Sequence, residues 1–444
     1  MSILSSPRRR LMVAWVVVLI ALSLFLSFYH DAAWSVARQW NVPFVTDAGL
    51  TAYNETGHPE QVRVAILETG GTHDEVTAAL VTAFGGQPDI DLTLMLRRQR
   101  YNMEEIMNSF ELASPISKII SHDDLASVVS NGPRPHVLVS ITCELDLESK
   151  AAEFRELLAT GETYLFCLVH HADRWRESRH TNVVREYIEK DMAEFIALSP
   201  HTADFLHSDT DQWWEEKLNY TVNVMPPVFN VNTAEPDPNE ISLAMQGDYS
   251  ESRRNYQHTF EQLGHVIGEL RDKEVSDDEK KRKVRLHVIG HGKPPSVPEE
   301  LKENVVFDQD LSYPDFYGTL SGAFTIIPAF AEYDYYDRKA SSTVPAALIA
   351  GVPIVANERL LKSYTYMPRE AVWLSEEDED EMDTIKRFIG DAEGFLERSS
   401  VVRETRAKLI DENVKNVDEW MARALEKLQN NKDAEAPAEE ETEE

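Results

Sequence analysis

SSTVPAALIAGVPIVAN, residues Ser341 to Asn357, is the stretch from which the rest of this chain is best approached. Ser341, Ser342 and Thr343 are residue types that open helices, and Pro345 suits a first helical turn. Gly351 closes such a helix, and Pro353 bars its continuation before a short apolar strand. The first turn of a helix leaves backbone N–H groups without partners, so it is a natural seat for a phosphate. An ordinary αβ connection is written in the same residues. What separates the two is the order of elements around it.

Upstream, Val62 to Leu67 reads as a strand, followed by Gly70-Gly71, a helical pattern from Asp74 to Phe84 and a second strand from Ile90 to Leu96. This is a βαβ unit with a glycine turn at the C-terminal end of its first strand, where open α/β sheets bind ligands. The runs His136–Thr142, Thr163–Val169 and Glu194–Ser199 continue the alternation. A Pro-rich passage, Met225 to Glu240, interrupts it as a linker. It restarts with Ile241–Met245, a helix from about Asn255 to Leu270, an exposed charged loop (KEVSDDEKKRK), Val284–Ile289, Val305–Phe307, Phe324–Ile327 and Pro353–Ala356. The expected fold class is α/β, with two Rossmann-like domains of parallel sheet flanked by helices and facing a cleft. Their limits are 61–228 for the first, 229–240 for the linker and 241–395 for the second. C-terminal helices over 396–431 can pack across either half, and an acidic tail closes the chain at 432–444.

The N-terminus is of another kind. Arg8, Arg9 and Arg10 precede an uncharged apolar run, 11–29. At about 1.5 Å per residue it spans roughly 28 Å, near the hydrocarbon thickness of a bilayer. The arginines place residues 1–10 in the cytosol and the body, after a stem over 30–60, in the lumen. A cleaved signal peptide with Ser35-Val36-Ala37 as its site is the rival; the length of the run favours an uncleaved anchor. The triplets beginning at Asn54 and Asn219 are glycosylation sequons, in keeping with a lumenal body. Cys143 and Cys167 each lie in an apolar run and read as buried core residues, although a secretory compartment permits a bond if their strands are neighbours. A formal charge of −33 excludes nucleic acid as a partner. Much acid sits in Glu376–Asp383 and in the tail, and both read as solvated, mobile chain.

With the second half laid out, its sequence of motifs resembles GT-B glycosyltransferases, and among them the retaining family 4 type. MQGDYSESRR (Met245–Arg254) resembles the strand, glycine and basic residue that face the donor diphosphate. LHVIGHG (Leu286–Gly292) is similar to the strand ending in G-x-G. VVFDQDLSYPDFYGTLSGAFTIIPA (Val305–Ala329) is similar to the strand, short helix and strand that lead to the donor loop, and Ser341–Asn357 takes the place of the last phosphate-facing helix. The first half matches more loosely, through Gly70-Gly71, the His170-His171 turn, ALSPHTADFL and VMPPVFN. There are departures. Of the family's two glutamates, the first falls on Glu332 and the second on Ala346. An aromatic-acidic insertion, YDYYDR, follows Glu332, and Asp248 stands where an arginine is usual, the later basic position being kept as Arg253, which is the cation expected to hold the diphosphate.

The resemblance implies a glycosyltransferase acting on a nucleotide sugar without a metal or other cofactor. Gly70, Gly71, Gly247, Arg253, Arg254, Lys339, Ser341, Ser342 and Thr343 would face the diphosphate, and Gly290, Gly292 and Phe307 the nucleotide. His170, His171 and Glu332 are the catalytic candidates, since imidazole titrates near neutrality and a carboxylate can hold sugar hydroxyls. Each has a plainer role open to it: surface ion pairs for the cations, helix capping for the hydroxyls, local hydrogen bonding for the histidines. The expected protein is a single-pass type II enzyme of the Golgi or endoplasmic reticulum membrane with a glycan, protein or lipid acceptor. A non-catalytic GT-B-like binding protein is the alternative, and a nucleotide-sugar epimerase a weaker third.

Overall fold

The computed structural model describes residues 61–97, 103–177, 181–210, 218–233, 240–272 and 283–435. The apolar run 11–29, the stem, the sequon at Asn54, the charged loop 273–282, linker residues 234–239 and the tail from 436 lie outside them. Among the described residues, no helix is long and apolar enough to cross a membrane.

Two all-parallel sheets form the body. The first holds β1 (Val62–Glu68), β2 (Ile90–Leu96), β3 (Ile116–Ser121), β4 (Val137–Ser140), β5 (Tyr164–Val169), β6 (Ala193–Ala197) and β7 (Val222–Val224), in the order 3-2-1-4-5-6-7. The second holds β8 (Glu240–Gln246), β9 (Lys283–Gly290), β10 (Val305–Gln309), β11 (Thr325–Ile326), β12 (Ile354–Ala356) and β13 (Val372–Leu374), in the order 10-9-8-11-12-13. β4, β5 and β6 are buried along their whole length, as central strands covered by helices on both faces must be. In each sheet the strand order reverses beside the first strand, between β1 and β4 and between β8 and β11. Crevices open at such switch points, outside the C-terminal ends of the strands. The loops that matter below all leave from there.

The helices of the first lobe are α1 (Asp74–Gly85), α2 (Met103–Ser109), α3 (Leu125–Asn131), α4 (Cys143–Ser149), α5 (Ala151–Thr160), α6 (Thr181–Glu189) and α7 (Pro200–Thr210). Those of the second are α8 (Tyr256–Asp272), α9 (Tyr313–Ser321), α10 (Asp334–Asp337), α11 (Thr343–Ala350), α12 (Glu358–Ser363) and α13 (Glu381–Phe388), followed by the long α14 (Ala392–Glu435). α11 is the helix foreseen within Ser341–Asn357. All eight of its residues are buried, and Gly351 ends it at φ +74°, a conformation that glycine adopts without strain.

The lobes meet through side chains as well as α14. Tyr313 of α9 donates its hydroxyl to Asp74 at 3.1 Å and its N–H to Glu105 at 3.0 Å, and Tyr317 donates to Glu75 at 3.0 Å. His201 of α7 lies 2.9 Å from the Ser363 carbonyl and 3.1 Å from that of Lys339. α14 begins on the second lobe, where Arg398 donates to the Val372 carbonyl and Arg406 to that of Ile349. It ends on the first, where Trp420 packs on Phe166 and Arg423 pairs with Glu194 at 2.8 Å.

Two expectations are corrected. Cys143 and Cys167 are disulfide-bonded; Cys143 opens α4 rather than continuing a strand, and the β4–β5 pairing brings it to Cys167. The acidic segment Glu376–Asp383 is engaged rather than loose. Glu379 pairs with Arg387, and the Glu381 carboxylate accepts the Ala329 N–H at 3.1 Å. Burial pushes the Glu381 carboxyl up to about 7, against that bond and the charge of Arg254.

Candidate functional site

The second lobe's rim is built by glycines that let loops close on one another. Gly247 adopts φ +128° and donates its N–H to the Ile289 carbonyl. A Cβ on Gly290 would stand 2.0 Å from the Gly247 oxygen, so that position tolerates no side chain. Tyr249 ties the loops further, donating its N–H to the His291 carbonyl and its hydroxyl to that of Val288, with its ring edge-on to Phe307. Gly247, Gly290, Gly292 and Phe307 are thus one neighbourhood.

The adjacent arginines part company, and the expectation that Arg253 is the cation turned to the diphosphate seat is corrected in favour of Arg254. Arg253 points outward, its side chain 55% exposed and 3.9 Å from Asp248, which itself pairs with His291 at 2.8 Å. Arg254 turns inward, because Asn255 donates its N–H to the Ala329 carbonyl and pins the chain beside β11. Only 4% exposed, Arg254 donates to the Gln246 carbonyl at 3.1 Å and to Thr343 Oγ1 at 2.7 Å, beside the stacked rings of Phe330 and Tyr335. Its Nε finds no acceptor, and no carboxylate stands within ion-pairing distance, among the described residues. Burial pulls its pKa below the ordinary arginine value. A buried cation with no carboxylate in contact, offset only in part by the field of Glu381, is costly. Here it also abuts the positive end of a helix.

That helix is α11. Ser342 is its N-cap, exposed and with no capping bond from its own side chain; Ser341 Oγ instead accepts the Thr343 N–H at 3.2 Å. Gln246, absent from the sequence-derived set, donates to Ser342 Oγ at 3.1 Å and Thr343 Oγ1 at 3.2 Å. Ala346 is buried one turn in. Lys339 is already spoken for, 2.7 Å from Asp334 and 3.5 Å from Glu332. Glu332 therefore sits beside the donor rim as half of an ion pair.

On the first lobe, Gly70-Gly71 wraps the chain's own anion. Glu68, fully buried, accepts the Gly71 N–H at 2.7 and 2.6 Å and the Thr72 N–H at 3.4 Å. The Gly71 amide is thereby occupied by a carboxylate, not held open for a phosphate. Beneath it, Asp146 accepts bonds from Thr69, Ser140 and Thr142 and braces the turn. Burial raises the Asp146 carboxyl to about 6, although those bonds oppose the shift. His170 is partly exposed, yet burial of its ring, with His73 and His171 adding, holds its pKa well below the ordinary histidine value. His171 joins the lobes through a backbone bridge to Lys339. His73, also missing from the sequence-derived set, stacks on His170 at 4.0 Å and lies 3.5 Å from Glu68. Its place three residues beyond Gly70, in a βα turn, was the available signal. Asn219 is exposed just before β7.

Two rims therefore face each other at the switch points of two parallel sheets, a buried cation and helix N-terminus on one side and imidazoles with a carboxylate on the other. This architecture is the GT-B glycosyltransferase fold. No protein-family model matches the sequence, and no curated protein matches it by sequence. Solved structures match the fold. HepE of Anabaena bound to UDP-glucose superposes with a TM-score of 0.52 at 12% identity, over 81% of this chain and 99% of that one. The same protein with UDP and glucose gives 0.53 at 11%, again over 81% and 99%. A glycosyltransferase from Rickettsia africae gives 0.50 at 8%, over 83% and 99%.

Proposed function

We propose that this chain is a glycosyltransferase that takes a sugar from a nucleotide diphosphate donor. The observation that carries this is Arg254, a buried guanidinium with no carboxylate in ion-pairing contact among the described residues, held against the first turn of α11 at the C-terminal edge of the second sheet. A diphosphate there would relieve the excess positive potential, and it would do so most when the leaving group's charge develops. Gly247, Gly290 and Gly292 allow the close backbone approach, with Phe307 and Tyr249 beside the base. Ser341, Ser342 and Thr343 shape the first turn of α11, with Ser342 exposed there, and Arg253 stays at the outer edge of the rim. The first-lobe rim, with Gly70 and Gly71, His170 and His171, faces the transferred sugar and acceptor, and Lys339 orders Glu332. The proposed transfer runs without a metal, with Arg254 and the α11 N-terminus facing the leaving group's charge. The HepE structures hold UDP and UDP-glucose, so a uridine donor is the first to try.

The proposed setting is the secretory pathway, with residues 11–29 as a type II anchor and the body lumenal. The disulfide supports an oxidising compartment, and the exposed Asn219 suits a sequon. The acceptor would be a glycan, protein or lipid there.

Calorimetry with UDP, UDP-glucose and a wider set of nucleotide sugars tests the core of this. Arg254→Gln should weaken donor binding by the worth of a charge-assisted bond, about 1.5–3 kcal/mol, or roughly 10- to 150-fold in Kd. Wild-type protein that takes up no nucleotide sugar would end the proposal. A second reading, a GT-B-like protein that binds without turnover, is favoured by Ala346 in place of an acid. It predicts donor binding with no sugar release or transfer.

A further inference from the structure

Resting on that reading, we propose that Tyr333, with Asp337 and Arg359 beside it, is a platform on which a sugar unit of the acceptor stacks, so that the acceptor is a glycan rather than a bare peptide or a lipid. The three residues come from the aromatic-acidic insertion after Glu332 and from the start of α12. Within the insertion the rings divide into two kinds. Tyr335 stacks on Phe330 at 4.8 Å and Tyr336 sets its edge against the same ring at 5.5 Å, so both are occupied by packing. Tyr333 is instead 67% exposed.

An exposed ring is ordinary when nothing orders it, but this one is held. The Arg359 guanidinium lies 4.4 Å from its centre and donates to Asp337 at 3.4 Å. A cation on one face steadies the ring and leaves the other face for a ligand. Asp337 and Arg359 each keep about half of their side-chain surface in water, so the carboxylate retains acceptors and the guanidinium donors for a further partner. A pyranose offers the complement of this trio. Its face of C–H bonds packs on an aromatic ring, and its rim of adjacent hydroxyls suits a carboxylate and a guanidinium that bind in pairs. A lipid chain would cover the ring but leave both charges desolvated and unanswered.

The platform is keyed to the anion seat. The Tyr364 hydroxyl accepts the Ser341 N–H at 3.0 Å and donates to the Tyr335 carbonyl at 2.8 Å, while Ser363 Oγ donates to the Tyr336 carbonyl at 2.8 Å. α10 is thereby tied to the residues that lead into α11. Just past α10 the chain reaches the first lobe, with Arg338 3.8 Å from Asp173 and Lys339 bridged to His171. The segments that carry Tyr333 and Arg359 leave the C-terminal ends of β11 and β12, the same edge of the sheet as the start of α11. Glu358, next to Arg359 and paired with Arg369, lines a cavity of about 620 Å³ that Glu376 and Arg387 also bound. A chain of sugars stacked on Tyr333 has in that polar hollow a place for its further units.

The test presents the full-length chain, in detergent, with an oligosaccharide array, a set of unglycosylated peptides and phosphatidylcholine vesicles. Retention on oligosaccharides is expected, with affinity rising as the chains lengthen. For the oligosaccharide held most tightly, Tyr333→Ala should weaken the calorimetric Kd by about 3- to 10-fold and raise its KM as acceptor by a similar factor. Tyr333→Trp, which keeps an aromatic face, should match or exceed the wild type. Both variants should bind the nucleotide sugar that the wild type takes up in the set above within twofold of its Kd. An equal loss of donor affinity in Tyr333→Ala would put the ring in the donor site and overturn the inference. Capture of peptides or vesicles in place of glycans would do the same, as would glycan binding that Tyr333→Ala leaves unchanged. Failure of the wild type to bind any nucleotide sugar would instead remove the reading beneath it.

Discussion

At the residue scale, the two rims depend on a few positions that have no substitute. Gly290→Ala would drive a Cβ into the Gly247 carbonyl, so the loops after β8 and β9 must part. We expect a stability loss of about 1–3 kcal/mol, seen as a lower urea midpoint, together with weaker donor binding. The glycines and Ser341–Thr343 were legible in the sequence, because turn and helix-start chemistry is local. The choice between Arg253 and Arg254 was not. Neighbouring side chains on a turn point opposite ways, and here the Asn255–Ala329 hydrogen bond, across 74 residues of chain, decides which one goes inward. Gln246 and His73 escaped notice for a similar reason: each is one polar residue at the end of a strand or turn, ordinary until its partners are known.

Elements with strong periodicity could be read directly, and short edge elements could not. β1, β2, β5 and α1 lie within a residue or so of their expected limits. β3, with mostly exposed side chains, has no apolar run to betray it, and β7 and β13 are three residues each. The disulfide belongs to this scale too. Two apolar runs with one cysteine each are compatible with separate burial, and only the β4–β5 pairing brings α4's first residue to β5. The bond closes a sequence separation of 24 residues. Replacing both cysteines by serine should lower the unfolding free energy by about 2–4 kcal/mol, measurable by denaturant titration. Equal stability of wild type and double variant would show that the bond contributes nothing.

For the molecule as a whole, the lobes are joined by carboxyls that hold protons unusually late. Burial raises Asp74 from 3.8 to about 7 and Glu75 upward, and each takes a tyrosine hydroxyl from the other lobe. A group whose folded pKa exceeds its unfolded value favours the folded state fully below the unfolded value, and that contribution is lost as pH rises through the folded one. Stability should therefore decline between about pH 4 and 7, by at most about 1.4 kcal/mol per pH unit for Asp74 alone. Asp74→Asn, which keeps a neutral amide at the site, should flatten the fall in melting temperature from pH 5.5 to 7.5; an undiminished fall would assign it elsewhere.

α14 sets a mechanical rule for such a joint. Anchored by Arg398 and Arg406 to one lobe and by Arg423 to the other, it works as a strap. Any motion that parts or turns the halves relative to each other must tear one set of these anchors loose. A crosslink from α14 to either half should therefore slow turnover little, because each end of the helix is already fixed to the lobe it touches.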